Sequence, residues 1–230
     1  MKITKTNKVS EHKFNLAVLG MSKTGKTRLV STIKGKPLIC NADKGTLSLK
    51  DYPIDAIEIN TLDDFIGFMK FVTTSNQFVD KGYDWVVFDS VSAIADIVKK
   101  GLEEKGITGF DFWGEYLKIM GGLFTTLRDT NRFNSLTIFE VSEKENSSGL
   151  LEKKFGLEGS IRDKAPYYFD YVMATQKISR KDKDDQYLLL TTNKDGYGFL
   201  GGRGGKLNDY EPSNLNHIIN KLKGGNNAVR

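Results

Sequence analysis

Gly20-Met21-Ser22-Lys23-Thr24-Gly25-Lys26-Thr27 has two glycines five positions apart, with a lysine and a threonine directly after the second. That spacing fits a loop that wraps phosphates. The glycines let the backbone turn tightly, so that successive N–H groups point inward at negative oxygens. Lys26 adds a mobile positive charge for the outer phosphates, and the Thr27 hydroxyl is a ligand for Mg²⁺. Arg28 closes the segment, so the candidate nucleotide contacts are Gly20, Met21, Ser22, Lys23, Thr24, Gly25, Lys26, Thr27 and Arg28.

Such a loop needs a second acid for the metal. Trp85-Val86-Val87-Phe88-Asp89 supplies the pattern: four apolar residues, then a carboxylate at the carboxyl end of a strand, where ligands of open α/β sheets bind. Asp89 also precedes a helix, so an N-cap is the other reading, while Asp84 at the far end of the strand reads as a surface residue. Hydrolysis further needs a group that orients water. Asp43, in Asn41-Ala42-Asp43-Lys44-Gly45, is the leading candidate, or else an ordinary turn aspartate. Ser142 and Glu143 follow the strand Leu136–Val141 and could sense the terminal phosphate. Arg203, between paired glycines, could enter a neighbouring subunit's site as an arginine finger, or be a solvated loop residue. Lys144, Lys153, Lys154, Arg162 and Lys164, with Phe155 for stacking, could meet a nucleic-acid backbone, although Glu143, Glu145, Glu152 and Glu158 dilute that charge.

Around these residues the elements alternate. Strands are expected at Phe14–Leu19, Pro37–Asn41, Ala56–Ile59, Tyr83–Ser90 and Leu136–Val141. Helices are expected from Thr27 to Ile33, from Thr61 (with its acidic first turn) to about Thr74, from Val91 to about Lys105 and from about Phe112 to Asn131. In the last of these, Trp113, Tyr116, Leu117, Met120, Leu123, Phe124 and Leu127 fall at helical spacing and read as core. Glu143 to Lys164 has little periodicity and reads as a functional or mobile loop. Tyr171–Thr175 and Tyr187–Thr192, joined by the Lys181–Asp184 turn, read as an antiparallel edge hairpin. Gly201–Gly205 reads as a flexible loop, and Glu211–Leu222 as the last helix. The fold class is therefore α/β: a mostly parallel sheet flanked by helices, with an antiparallel edge. The expected organisation is a basic arm (1–13), one domain (14–222) and a flexible tail (223–230).

The 230 residues, 39% apolar and 27% charged, fit a soluble domain of this size. No apolar run approaches about 18 residues, and the polar start is not a signal peptide, so a cytosolic protein is expected, with no membrane partner. Cys40 is the sole cysteine and reads as a small core residue. His12 and His217 lie far apart, which speaks against zinc. A net charge of +5 permits a polyanionic partner without requiring one.

The order of these motifs resembles the RecA-like ATPase core. It is most similar to the small phage-encoded, AAA-type nucleotide-binding ATPases that include the minimal recombinases of the Sak group. The likeness spans about Phe14 to Leu222, with Gly202-Arg203-Gly204-Gly205-Lys206-Leu207 and Glu211-Pro212 adding to it. It implies ATP and Mg²⁺ as ligands, with Lys26 on the phosphates, and Thr27 and Asp89 on the metal. Where RecA-like proteins carry Asp-Ala-Glu, this chain has Asn41-Ala42-Asp43, so Asp43 takes the water-activating part with a shorter side chain. Ser142 stands at a sensor position that is usually Gln or His, and Arg203 stands alone where the family has Lys-x-Arg. The partners implied are single-stranded DNA, further copies of the chain in a ring or filament with ATP between subunits, and a single-stranded-DNA-binding protein; the location implied is the cytoplasm of the phage's host. The activity implied is ATP hydrolysis in phage recombination or annealing. An ATPase directed at a protein, such as a helicase loader or assembly factor, and a nucleotide-gated module with negligible turnover remain alternatives.

Overall fold

The computed structural model describes residues 13–145, 148–180, 183–204 and 206–224. Its strands are β1 (Asn15–Gly20), β2 (Pro37–Asn41), β3 (Asp55–Glu58), β4 (Trp85–Asp89), β5 (Asn134–Glu145), β6 (Leu151–Phe155), β7 (Tyr171–Arg180), β8 (Lys183–Leu190), β9 (Gly201–Gly202) and β10 (Tyr210–Pro212). The sheet order is β10-β8-β7-β1-β5-β4-β2-β3, with β6 paired to β5 and β9 to β7. Pairings from β7 through β1, β5, β4 and β2 to β3 are parallel. Those of β8, β10, β6 and β9 are antiparallel. The expected mostly parallel α/β sheet with an antiparallel edge hairpin is thus observed.

Layering explains the strand sequences. β1, β2 and β4 are buried along their whole length, because helices and short turns cover both faces, and a two-sided parallel strand must be apolar throughout. One face packs on the helices α1 (Leu62–Thr74), α3 (Val91–Glu104) and α4 (Gly109–Asp129), with the short α2 (Asn76–Asp80) beside them. The other face packs on a 3-10 segment, Thr27–Thr32, and on α6 (Leu215–Leu222); α5 (Ser160–Lys164) completes the set. α1 begins where the sequence indicates: Thr61 and Asp64 form a reciprocal capping box, which satisfies two otherwise orphaned N–H groups. On α4 the apolar stripe buries Tyr116, Met120, Leu123, Phe124 and Leu127, while Trp113 stays partly exposed.

Four expectations change. The segment after the phosphate loop is a six-residue 3-10 helix rather than an α-helix, in keeping with the β-branched residues of Thr27-Arg28-Leu29-Val30-Ser31-Thr32-Ile33. Its dipole is correspondingly small. Glu143 to Lys164 is no irregular loop: β5 runs on to Glu145, β6 pairs back against it, and α5 follows. The hairpin lacked apolar periodicity because its outer end projects past the core with its side chains largely exposed. Gly201–Gly202 is not free loop but β9, held against Tyr171 and Val172, and a side chain on Gly202 would run into the Tyr171 ring. Glu211 belongs to β10 rather than to a helix, and α6 starts later, capped by Asn214. Residues 1–12 of the expected arm (1–13), residues 225–230 of the expected tail (223–230), Gly205 and the Lys181-Asp182 part of the hairpin turn lie outside the described residues, as does His12.

Cys40 is buried in β2, and burial pushes its thiol well above its ordinary range. Among the described residues no helix is long and apolar enough to cross a membrane.

Candidate functional site

β1 delivers the chain to the carboxyl edge of the sheet, where Gly20 opens the loop. Lys23 and Gly25 adopt positive φ, 64° and 91°, which curls the backbone into a concave turn. Gly25 is required twice over: its φ disfavours a side chain, and a Cβ would stand 3.0 Å from the Tyr187 ring of β8. The Thr24 hydroxyl ties the curl down, bonding the Met21 carbonyl (2.8 Å) and the Thr175 hydroxyl of β7 (2.6 Å). Inside it, the Lys26 ammonium donates to the Gly20 and Met21 carbonyls, both at 2.8 Å. Burial lowers the Lys26 pKa, against the opposing pull of the Asp89, Glu140 and Asp43 carboxylates.

The metal side of the site is formed by β1 and β4 together. The Thr27 hydroxyl donates to Asp89 Oδ2 at 2.7 Å, and Asp89 is 1% exposed. Burial raises the Asp89 pKa; the Thr27 hydrogen bond and Lys26 oppose this, while Asp43 adds to it. Asp89 does not serve as the N-cap of α3: that position is held by Ser90, whose hydroxyl accepts from the Ala93 N–H at 3.2 Å. Asn41 pairs in register with Asp89, and its buried Oδ1 has no hydrogen-bond partner. A hydroxyl, one buried carboxylate and a neighbouring orphaned acceptor fit Mg²⁺, which keeps several waters and takes one or two carboxylates plus phosphate oxygens. Among the described residues no group of three or more His, Cys, Asp or Glu could hold a metal by itself; a phosphate-bearing ligand would complete this set.

The phosphate loop, Asp43, Ser48, Glu140, Val141 and Tyr187 enclose a pocket of about 620 Å³. Asp43 is therefore at the site, exposed, with its backbone N–H on the Asp89 carbonyl (3.1 Å). Ser142 is not in the pocket wall: it lies further along β5, opposite Lys154 of β6. The residues of β5 that reach the site are Glu140, in register with Gly20, and Val141. Sequence reasoning missed Glu140 and Tyr187. A charged residue at the end of an apolar strand was a signal for Glu140, but the β1–β5 register was needed to place it.

Arg203 stands elsewhere. Its guanidinium donates to the Tyr167 carbonyl (3.3 Å) and faces Asp170 at 3.9 Å. It follows β9, which pairs with Tyr171, itself in register with Leu16 near the start of β1. That is the opposite edge of the sheet from Gly20, roughly 15 Å of strand away, so Arg203 does not act on this chain's own pocket. It lines a groove of about 850 Å³ together with Lys153, Lys154, Arg162 and Tyr167. Lys154 pairs with Glu152 at 3.1 Å and Arg162 with Asp163 at 3.2 Å. Lys144 and Lys164 are exposed outside the groove lining. Phe155 cannot offer a face for stacking: it is 1% exposed and packed edge-on against Phe139. The exposed aromatic of the groove is Tyr167, 79% accessible.

A family model described as an AAA domain matches residues 12–198. No curated protein matches the chain. Among solved structures, the flagellar accessory protein FlaH from Methanocaldococcus jannaschii is similar over 77% of both chains, at 15% identity and a TM-score of 0.41, a likeness too weak to carry any residue's role across.

Proposed function

The chain belongs to the AAA-domain family, and on that premise we propose that it binds ATP with Mg²⁺ and hydrolyses it. The observation that carries this is the 2.7 Å hydrogen bond from Thr27 to buried Asp89, formed beside the curled loop that encloses Lys26. In this reading the loop N–H groups and Lys26 hold the phosphates, and Thr27 and Asp89 hold the metal. Mg²⁺ would supply charge neutralisation on the phosphate oxygens. A pocket carboxylate orients water; from sequence, Asp43 takes that part.

The finer reading is action on single-stranded DNA in phage recombination or annealing. It is supported by the motif order, by the net charge of +5 and by a groove that joins Lys153, Lys154, Arg162 and Arg203 to the exposed ring of Tyr167. Cations that follow a backbone and an aromatic that stacks a base are what such a ligand needs. Self-association in a ring or filament, with Arg203 entering a neighbour's site, is consistent with its distance from its own pocket. A second reading, an ATPase directed at a protein partner, is favoured by the acids Glu152 and Asp163, which engage two of the groove's cations.

Phosphate release from ATP and Mg²⁺, with and without single-stranded DNA, separates these readings, with Lys26→Ala as control. DNA-stimulated release that vanishes in the variant is expected. Release that ignores DNA would move the function to a protein partner. ATP binding without release would end the hydrolysis reading.

A further inference from the structure

Resting on the hydrolysis reading above, we propose that Glu140, and not Asp43, is the catalytic carboxylate that takes the proton of the attacking water. β5 lies between β1 and β4 in the sheet, so its carboxyl end emerges between the loop that holds Lys26 and the strand that ends in Asp89. Glu140 is the last β5 residue paired with β1, in register with Gly20, whose carbonyl receives the Lys26 ammonium. Adjacent strands are about 4.8 Å apart, which sets the Glu140 backbone directly beside the point where the loop begins. Its side chain is exposed to the pocket rather than engaged in the core.

The main chain of Glu140 is fixed from both sides. Its N–H donates to the Ser92 hydroxyl at 3.0 Å, and its carbonyl accepts from the Gly156 N–H at 2.9 Å. Ser92 lies in the first turn of α3, three residues past Asp89 at the end of β4, so the β4–α3 junction positions both the metal acid and the water acid. A catalytic group held on a strand by such contacts keeps its geometry better than one on a loop.

Asp43 is placed differently. It follows β2, on the far side of β4 from β5, and its N–H is bound to the Asp89 carbonyl. Its carboxylate and the Thr27 hydroxyl both lie 3.7 Å from the point where a Gly45 Cβ would be. That puts it on the metal side of the pocket, where it suits water in the metal's outer shell. Lys26 is the residue that meets the outer phosphates; Glu140 stands on the strand next to β1, which leads into the Lys26 loop, whereas Asp43 follows β2, three strands from β1. Glutamate also reaches one methylene further.

In the step itself the water oxygen forms a bond to the γ-phosphorus as the bond to the β–γ bridging oxygen breaks. ADP leaves with that electron pair. One water proton passes to the Glu140 carboxylate and then to solvent, and the other stays on the released phosphate.

Single-turnover hydrolysis and calorimetric MgATP binding, measured on the full chain and on Glu140→Gln, Glu140→Asp and Asp43→Asn, test this. Glu140→Gln should slow hydrolysis by about 100-fold or more while ATP affinity stays within about threefold, the signature of a group used only in the transition state. Glu140→Asp should recover part of the rate, and Asp43→Asn should lose less than about tenfold. Equal losses in Glu140→Gln and Asp43→Asn, or a loss confined to Asp43→Asn, would overturn the assignment while leaving hydrolysis in place. A wild-type chain that binds MgATP and never releases phosphate would instead remove the hydrolysis reading, and this assignment with it.

Discussion

Two carboxylates are buried almost equally in this molecule, and their surroundings treat them in opposite ways. Asp89 at the candidate phosphate pocket is 1% exposed, and Glu211 of β10, facing α6, is 2% exposed. Burial raises the Asp89 pKa, and the Thr27 hydroxyl only partly offsets it. Burial would raise Glu211 too, but Lys221 Nζ (2.5 Å), the Asn208 N–H (2.7 Å) and His217 Nε2 (2.9 Å) all converge on it and hold it below its ordinary range. The contrast separates two uses of a buried charge. Glu211 is saturated, as a group must be whose work is to pin α6 to the sheet edge. Asp89 is left short of donors, as suits a group whose remaining partner is a cation that arrives with the nucleotide.

The sharpest way to break that contrast is Asp89→Asn. Nucleotide hydrolysis should fall by about 100-fold or more, because the metal loses its charged ligand. Yet the nucleotide-free protein should melt a few degrees higher. A carboxyl whose folded pKa is raised contributes stability below its unfolded pKa and loses it as pH rises through the folded value. Above the folded value the wild type has lost that contribution, whereas an amide keeps an acceptor for Thr27 without a buried charge. A thermal melt that drops would show that Asp89 is held by structural contacts, as Glu211 is.

Glu211→Ala tests the other arm. It strands Lys221 and two further donors, and should cost about 2–3 kcal/mol in denaturant unfolding. The pH dependence has the opposite sign to that of Asp89. A carboxyl whose folded pKa is lowered contributes stability above its unfolded pKa, and that stability is lost as pH falls through the folded value. Stability of the wild type should therefore decline as pH falls from the ordinary glutamate value of 4.5 downward, and the Glu211→Ala variant should lack that component of the decline.

The same pair shows what sequence can and cannot reveal. Asp89 was legible because its evidence is local: four apolar residues, then an acid, after a glycine-lysine-threonine loop upstream. Glu211 was not, because its role depends on pairing with Leu189 and on a lysine nearly two turns into a helix that begins four residues later; the sequence alone placed it in that helix. Glu140 and Ser142 differ by two residues on one strand, about 7 Å. Only the register of β5 against β1 decides which one meets the loop. Phe155 and Tyr167 were separated by burial, which no composition of the surrounding charged segment discloses. The fold class was readable from the alternation of apolar runs and helical stripes, whereas the β5–β6 hairpin was hidden because its outer end has no buried face.

The smallest expected effect lies where the pocket meets the groove. Gly156 follows Phe155 at the end of β6, and a Cβ there would stand 2.9 Å from the Glu140 carbonyl and 3.0 Å from the Ser92 hydroxyl. The first is backbone and the second is a hydroxyl held by the Glu140 N–H, so the hairpin must move by a few tenths of an ångström to admit it. Gly156→Ala should cost about 1 kcal/mol in stability and slow turnover by about three- to tenfold, because it disturbs both hydrogen bonds that fix the Glu140 main chain. Gly67→Ala in α1 is the matched control: nothing stands within 4 Å of its Cβ, and alanine in an exposed helix should stabilise by about 0.5–1 kcal/mol. If Gly156→Ala lowers turnover no more than Gly67→Ala does, the backbone clamp on Glu140 is packing alone, and the site and the hairpin are mechanically separate.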